Sequence, residues 1–128
     1  NNPLLNERAP EQVLWIHPDR AGPLGIGDGD AVEIRGVAGA GSPRPYVGRI
    51  QARVTPWIHP EAVFMLHGFG ATVPLATRAF GRGVADQRLQ DGKLYDFDPA
   101  GGGCALTETI VRVQPASQAP AVAAGGNQ

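Results

Sequence analysis

His67-Gly68-Phe69-Gly70 is the segment of this sequence best equipped to meet a ligand. An imidazole can donate or accept at either ring nitrogen, and a phenyl ring offers a flat apolar face to a planar heterocycle. Glycines on both sides of Phe69 allow close backbone approach. The same residues would also serve a plain loop, with Phe69 folded back on the core. A second candidate is the loop from Gly81 to Leu89, where Arg82, Arg88 and Asp86 stand on flexible backbone. Asp86 could accept from ring N–H groups and an arginine could meet phosphate; a solvated surface loop would have the same composition.

Other reactive side chains point to less. His17, His59 and His67 match no zinc spacing, and the first two directly precede prolines, so no metal site is expected. Cys104, the single cysteine, excludes an internal disulfide framework. It has no base near it in sequence and reads as an inert thiol in a strand. Asp98-Pro99-Ala100-Gly101-Gly102-Gly103 lacks the lysine and following helix of a phosphate-cradling loop. No catalytic residue is expected in the chain.

Composition bounds what must position these residues. The chain has 128 residues, enough for one core, with 18 glycines and 12 prolines that favour turns over helices. A net charge of -1 provides no long-range attraction for nucleic acid. No apolar run approaches the roughly 18 to 20 residues of a membrane span, so direct insertion is not expected. Lys93 is the lone lysine; the arginine bias fits either genome composition or bidentate contacts to anions.

Alternation predicts strands. Val13-Leu14-Trp15-Ile16 is apolar throughout and is expected to be buried on both faces, followed by a short helix from Pro18 that Gly22-Pro23 ends. A second strand covers residues 31–37, with Val32 and Ile34 on one face and Glu33 and Arg35 on the other. Residues 38–45 form a hairpin tip. The third strand, residues 47–55, turns Ile50, Ala52 and Val54 one way and Arg49, Gln51 and Arg53 the other. Residues 62–66 read as a central fourth strand. Strand signals then nearly vanish to residue 103, a length of loop that is usually functional. A last strand is expected over residues 104–113. The domain is placed at residues 1–114 and a solvated tail at 115–128.

The stretch Leu24-Gly25-Ile26-Gly27-Asp28-Gly29-Asp30-Ala31-Val32-Glu33-Ile34 shows how these strands connect. Gly27 and Gly29 can take positive φ, and Asp28 and Asp30 can bond their own turn. A tight reversal into a half-buried strand suits the corner of a small barrel. The expected fold is mainly β: a double-psi β-barrel of about six strands, with one or two short helices and a long loop.

Seven words, in order, resemble the C-terminal domain of the molybdopterin oxidoreductases, the dimethyl-sulfoxide-reductase superfamily. They are Asn1 to Glu7, Leu14 to Pro18, Leu24 to Ile34, Val63 to Gly70, Arg78 to Gly83, Asp98 to Gly103 and Ile110 to Val113. The wording from Arg78 to Gly103 is most similar to the polysulfide and thiosulfate reductase branch. The resemblance implies a domain covering a bis-molybdopterin guanine dinucleotide that chelates molybdenum or tungsten, bound jointly with other domains. It implies cofactor contacts by Asn1 and Asn2, by His67, Gly68 and Phe69, by Asp86, and by Thr107 and Glu108. Asp86 stands where the family often has asparagine, which keeps the acceptor and loses the donor. Ala71 stands where many relatives carry a second histidine.

The family's metal ligand and iron–sulfur cysteines belong to other domains. The fragment alone is therefore expected to be inactive and to hold no cofactor. The chain begins inside the first matching word, and the expectation is a domain of a longer catalytic subunit. An iron–sulfur electron-transfer subunit would be its partner and the periplasm its compartment, with the cytoplasm as the other option. The alternative is a stand-alone double-psi barrel acting as an adaptor, like the N-terminal domains of AAA-type ATPases.

Overall fold

The computed structural model describes residues 3–37, 46–74, 80–90, 100–101 and 109–116. A one-and-a-half-turn helix, α1 (Pro3–Arg8), leads to β1 (Val13–Ile16). Pro18 then starts α2 (Pro18–Ala21), which passes into a 3-10 turn at Gly22–Leu24. β2 (Ala31–Gly36), β3 (Val47–Val54), β4 (Val63–Phe64) and β5 (Val111–Pro115) complete one sheet, in the order β4-β1-β3-β2-β5. β2 and β3 form the expected hairpin, and β1 lies parallel to β3 across a crossing connection. The outer pairs are antiparallel.

The two edges of this sheet turn toward one another. Val63 of β4 and Val111 of β5 line the same internal space with Leu14, Ile34 and Leu89. The result is the mainly β, barrel-type fold expected, built as a half-barrel. Five strands are present among the described residues, against about six expected.

Alternation decides what is inside. β3 alternates exposed and buried along its length, with Ile50 and Ala52 in the core as its sequence predicts. Leu14, Ile16, Val32 and Ile34 complete the barrel interior, each essentially without solvent contact. A fully buried aliphatic side chain contributes about 1.5–3 kcal/mol, so these four alone outweigh any surface contact in the chain.

The structure corrects several expectations. β1 is buried on one face only, because Val13 and Trp15 point outward. Trp15 is half-covered by Phe64, whose ring meets it edge-on at 5.6 Å, and by the Arg53 guanidinium 6.0 Å from its centre. The fourth strand is an edge of two residues, paired to β1 alone. Its apolar run reflects packing of Val63 and Met65 against the core and of Phe64 against Trp15, one from each side. β5 extends past residue 113, to Pro115, and the expected stretch 104–108 lies outside the described residues, as does Cys104. Positive φ falls at Gly29 but not at Gly27. Asp30 bonds its own turn through the Gly27 N–H at 2.7 Å, whereas Asp28 reaches across to the Val54 N–H at 2.8 Å. Asp28 thus ties the start of β2 to the end of β3.

The outer sheet face holds a further surprise. Glu33 was expected to be on the polar side, yet it is buried. Arg49 donates two hydrogen bonds to its Oε1 at 3.0 and 3.2 Å, and Arg35 and Gln114 each donate one to Oε2 at 3.1 Å. Arg35 first, then Arg49, hold the Glu33 carboxyl below the ordinary carboxylate range, against the opposing effect of burial. A lowered folded pKa stabilises at pH above the unfolded value, and that stabilisation is lost as pH falls through the folded value. Thermal melts from pH 7 downward should therefore show a steeper acid loss for the wild type than for Glu33→Gln, which should already melt lower at pH 7. Parallel acid profiles would refute this assignment.

Candidate functional site

The loop from Gly81 to Leu89 is not a solvated surface loop, because two of its side chains belong to the core. Val84 and Leu89 are buried among the barrel residues. They pin the loop at both ends of a single-turn 3-10 segment, Asp86–Arg88. The Tyr46 hydroxyl accepts from the Ala85 N–H at 3.4 Å, and the Arg88 guanidinium lies 4.4 Å from the Tyr46 ring centre. That contact directs one of the two loop arginines.

The segment leaving β4 is held against this loop by backbone pairing. Gly70 N–H donates to the Arg82 carbonyl at 2.6 Å, and Gly81 N–H to the Ala71 carbonyl at 3.1 Å. Gly70 has φ +72°, and a Cβ there would run into the backbone of Val84 and Ala85. Close contact of two main chains explains why glycine stands there. Gly68 has φ +88° but faces open space.

Between the two segments lies a cleft of about 720 Å³, lined by residues that include His67, Gly68, Phe69, Ala85, Asp86 and Arg88. This volume is within the roughly 300–1,000 Å³ of small-molecule sites. His67 Nδ1 and Asp86 Oδ2 meet at 2.5 Å across 19 residues of sequence. An ionised carboxylate only accepts, so in this pair the imidazole donates from Nδ1. The pair is asymmetric in exposure: the His67 side chain is 60% accessible and Asp86 only 15%. The half-buried Phe69 stands on a ridge between this cleft and a second one lined by Glu11, Gln12, Arg49 and Arg82.

The structure thus brings together four of the expected site residues, His67, Gly68, Phe69 and Asp86. Asn1, Asn2, Thr107 and Glu108 lie outside the described residues. Thr109, next along the chain, lines the space beneath His67 and Asp86. His17 and His59 serve their turns: each Nδ1 accepts a backbone N–H two residues on, at 3.2 Å. Among the described residues no three His, Cys, Asp or Glu side chains are placed to share a metal ion.

Two contributors went unseen in the sequence. Tyr46 directly precedes β3 and carries no motif. Gln12 is buried just ahead of β1 and hydrogen-bonds to both segments of the cleft. A polar residue flanking an apolar run was the sole signal, and it is a common one.

The cleft combines a carboxylate–imidazole pair, bordering glycines and an aromatic side chain, groups chemically suited to a planar polar heterocycle. A pterin would suit this set: its ring edge carries N–H groups of the kind Asp86 could accept, and its face could lie along Phe69. Sequence comparison gives the class directly: the profile of the molydopterin dinucleotide binding domain matches residues 1–124, and the chain belongs to that family. The chain is also similar to the thiosulfate reductase molybdopterin-containing subunit PhsA of Salmonella typhimurium, with 33% identity over 82 residues. That alignment covers 64% of this chain and 10% of the relative. The chain is therefore a cofactor-binding domain of the molybdoenzyme type, and the adaptor alternative is set aside.

Proposed function

We propose that this domain forms one wall of the site for a molybdenum or tungsten bis-molybdopterin guanine dinucleotide in a larger oxidoreductase. The enzyme would reduce a sulfur oxyanion, polysulfide or similar terminal acceptor, a reading supported by the thiosulfate reductase relative. The observation that carries the site is the His67–Asp86 pair at the mouth of the cleft.

Asp86 has acceptor capacity beyond the one bond to His67, and would receive an N–H from the heterocycle. His67 holds that carboxylate in place and presents Nε2, as an acceptor when neutral and as a donor when protonated. Gly68 would let the backbone approach the ligand, and Phe69 would limit its sideways movement. Asn1, Asn2, Thr107 and Glu108 are proposed as further contacts. When bound, the cofactor supplies the redox chemistry; this domain supplies no catalytic residue and would be inactive alone. The rest of a catalytic subunit would complete the pocket, an iron–sulfur subunit would exchange electrons with it, and the periplasm is the proposed compartment.

The test is cofactor content. His67→Ala combined with Asp86→Ala in the full-length enzyme should lower molybdenum (or tungsten) and guanine nucleotide per protein several-fold. Both side chains lie in a cleft rather than in the core, so the melting temperature should change little. Full cofactor occupancy in the double variant would sink the proposed site.

A further inference from the structure

We infer that Gln12, remote in sequence from both cleft segments, is the positioning residue that sets their separation and hence cofactor retention. This inference rests on the cofactor-binding reading of the cleft. Gln12 is only 7% exposed. Its Nε2 donates to the Leu66 carbonyl at 2.5 Å and to the Val84 carbonyl at 3.2 Å, and its Oε1 accepts the Val84 N–H at 2.6 Å. Both amide protons and the amide oxygen are therefore engaged. Leu66 immediately precedes His67, and Val84 lies two residues before Asp86.

One side chain thus closes a bracket around the roots of both segments. Through it, the 54- and 72-residue separations in sequence become a few ångströms in space. The packing around the bracket is equally tight. A Cβ on Gly83 would collide with Gln12 and come within 3.0 Å of the Phe69 Cβ. The His67 root and the Asp86 root are consequently both referenced to the same amide, with Phe69 packed close to Gly83 beside it. Breaking it would strand the buried N–H and carbonyl of Val84 and the partly buried carbonyl of Leu66, which favours local opening at both roots.

The experiment uses the full-length enzyme, prepared free of cofactor and as isolated. In Gln12→Met, which keeps length and burial but removes the amide, deuterium uptake should accelerate on the order of tenfold in peptides covering residues 66–70 and 83–86. Peptides of β3 should exchange as in the wild type. Molybdenum and guanine nucleotide per protein should fall several-fold, with His67 and Asp86 both intact. Gln12→Glu, which retains the acceptor for Val84 and loses both donors, should loosen residues 66–70 more than 83–86.

Wild-type uptake in both cleft segments of Gln12→Met would overturn the inference. So would loosened segments with full cofactor, provided the His67→Ala/Asp86→Ala enzyme has lost it. Full cofactor in that double variant instead would reject the cofactor-site reading itself, and the inference with it. If β3 also loosens in Gln12→Met, Gln12→Glu is judged by the same two readings. Global loosening in both variants would make Gln12 a general stability residue and end its assignment to positioning.

Discussion

Gly70→Ala should destabilise the protein by about 3–5 kcal/mol, among the largest effects available to a single methyl group. Two costs combine. The left-handed φ of +72° penalises any L side chain by about 1–2 kcal/mol. The new Cβ would also press on the backbone of Val84 and Ala85, which cannot swing away as a side chain tip can. Val84 is anchored in the core, so the clash must be relieved by moving Gly70, and with it the pairing to Arg82. Gly68→Ala separates the two costs. Its φ of +88° carries the same kind of strain, but its Cβ would meet open space, so about 1–2 kcal/mol is expected. Denaturant melts of the two variants compare them directly. Equal losses would mean that the close approach at Gly70 is not what demands glycine.

Leu14→Ala should cost about 2–5 kcal/mol, the range for removing a buried leucine without collapse of the cavity. Leu14 has no exposed surface, sits on β1 opposite Ala52 of β3, and lines the internal space with Ile34, Met65 and Leu89. Ala52 is small and the sheet backbone is fixed by its ladders, so the neighbours have little freedom to fill the hole. Against a total of about 5–15 kcal/mol for a domain, this loss would strongly reduce the urea midpoint at little change in slope. Trp57→Ala is the counterpart: a larger residue, 86% exposed, whose removal should stay within about 0.5 kcal/mol. A loss for Leu14→Ala no greater than that for Trp57→Ala would contradict the assignment of the core.

The inward sets of β2 and β3 were legible because a strand's facing is written in its own alternate residues. Ile50 and Ala52, like Val32 and Ile34, needed no partner to be identified as interior. The Gly-Asp turn and the ordered family words were legible for the same reason, since each is a contiguous pattern. So were the cleft residues His67, Gly68, Phe69 and Asp86 as separate candidates. Their union was not. The His67–Asp86 bond spans 19 residues and the Gln12 bracket spans 54 and 72, distances over which no periodicity operates.

The edge position of β4 was misjudged on similar grounds. A continuous apolar run is produced equally by a central strand and by an edge strand covered with side chains, and only pairing tells them apart. Glu33 is buried because Arg49 and Gln114 stand directly across from it on the neighbouring strands, and its own alternation says nothing about them. The sequence by itself determined the mainly β class, the inward sets of β2 and β3, the family and the chemical types of the candidate residues. Tertiary structure alone decided which groups touch, because hydrogen bonds and burial depend on strand register and on contacts between segments far apart in the chain.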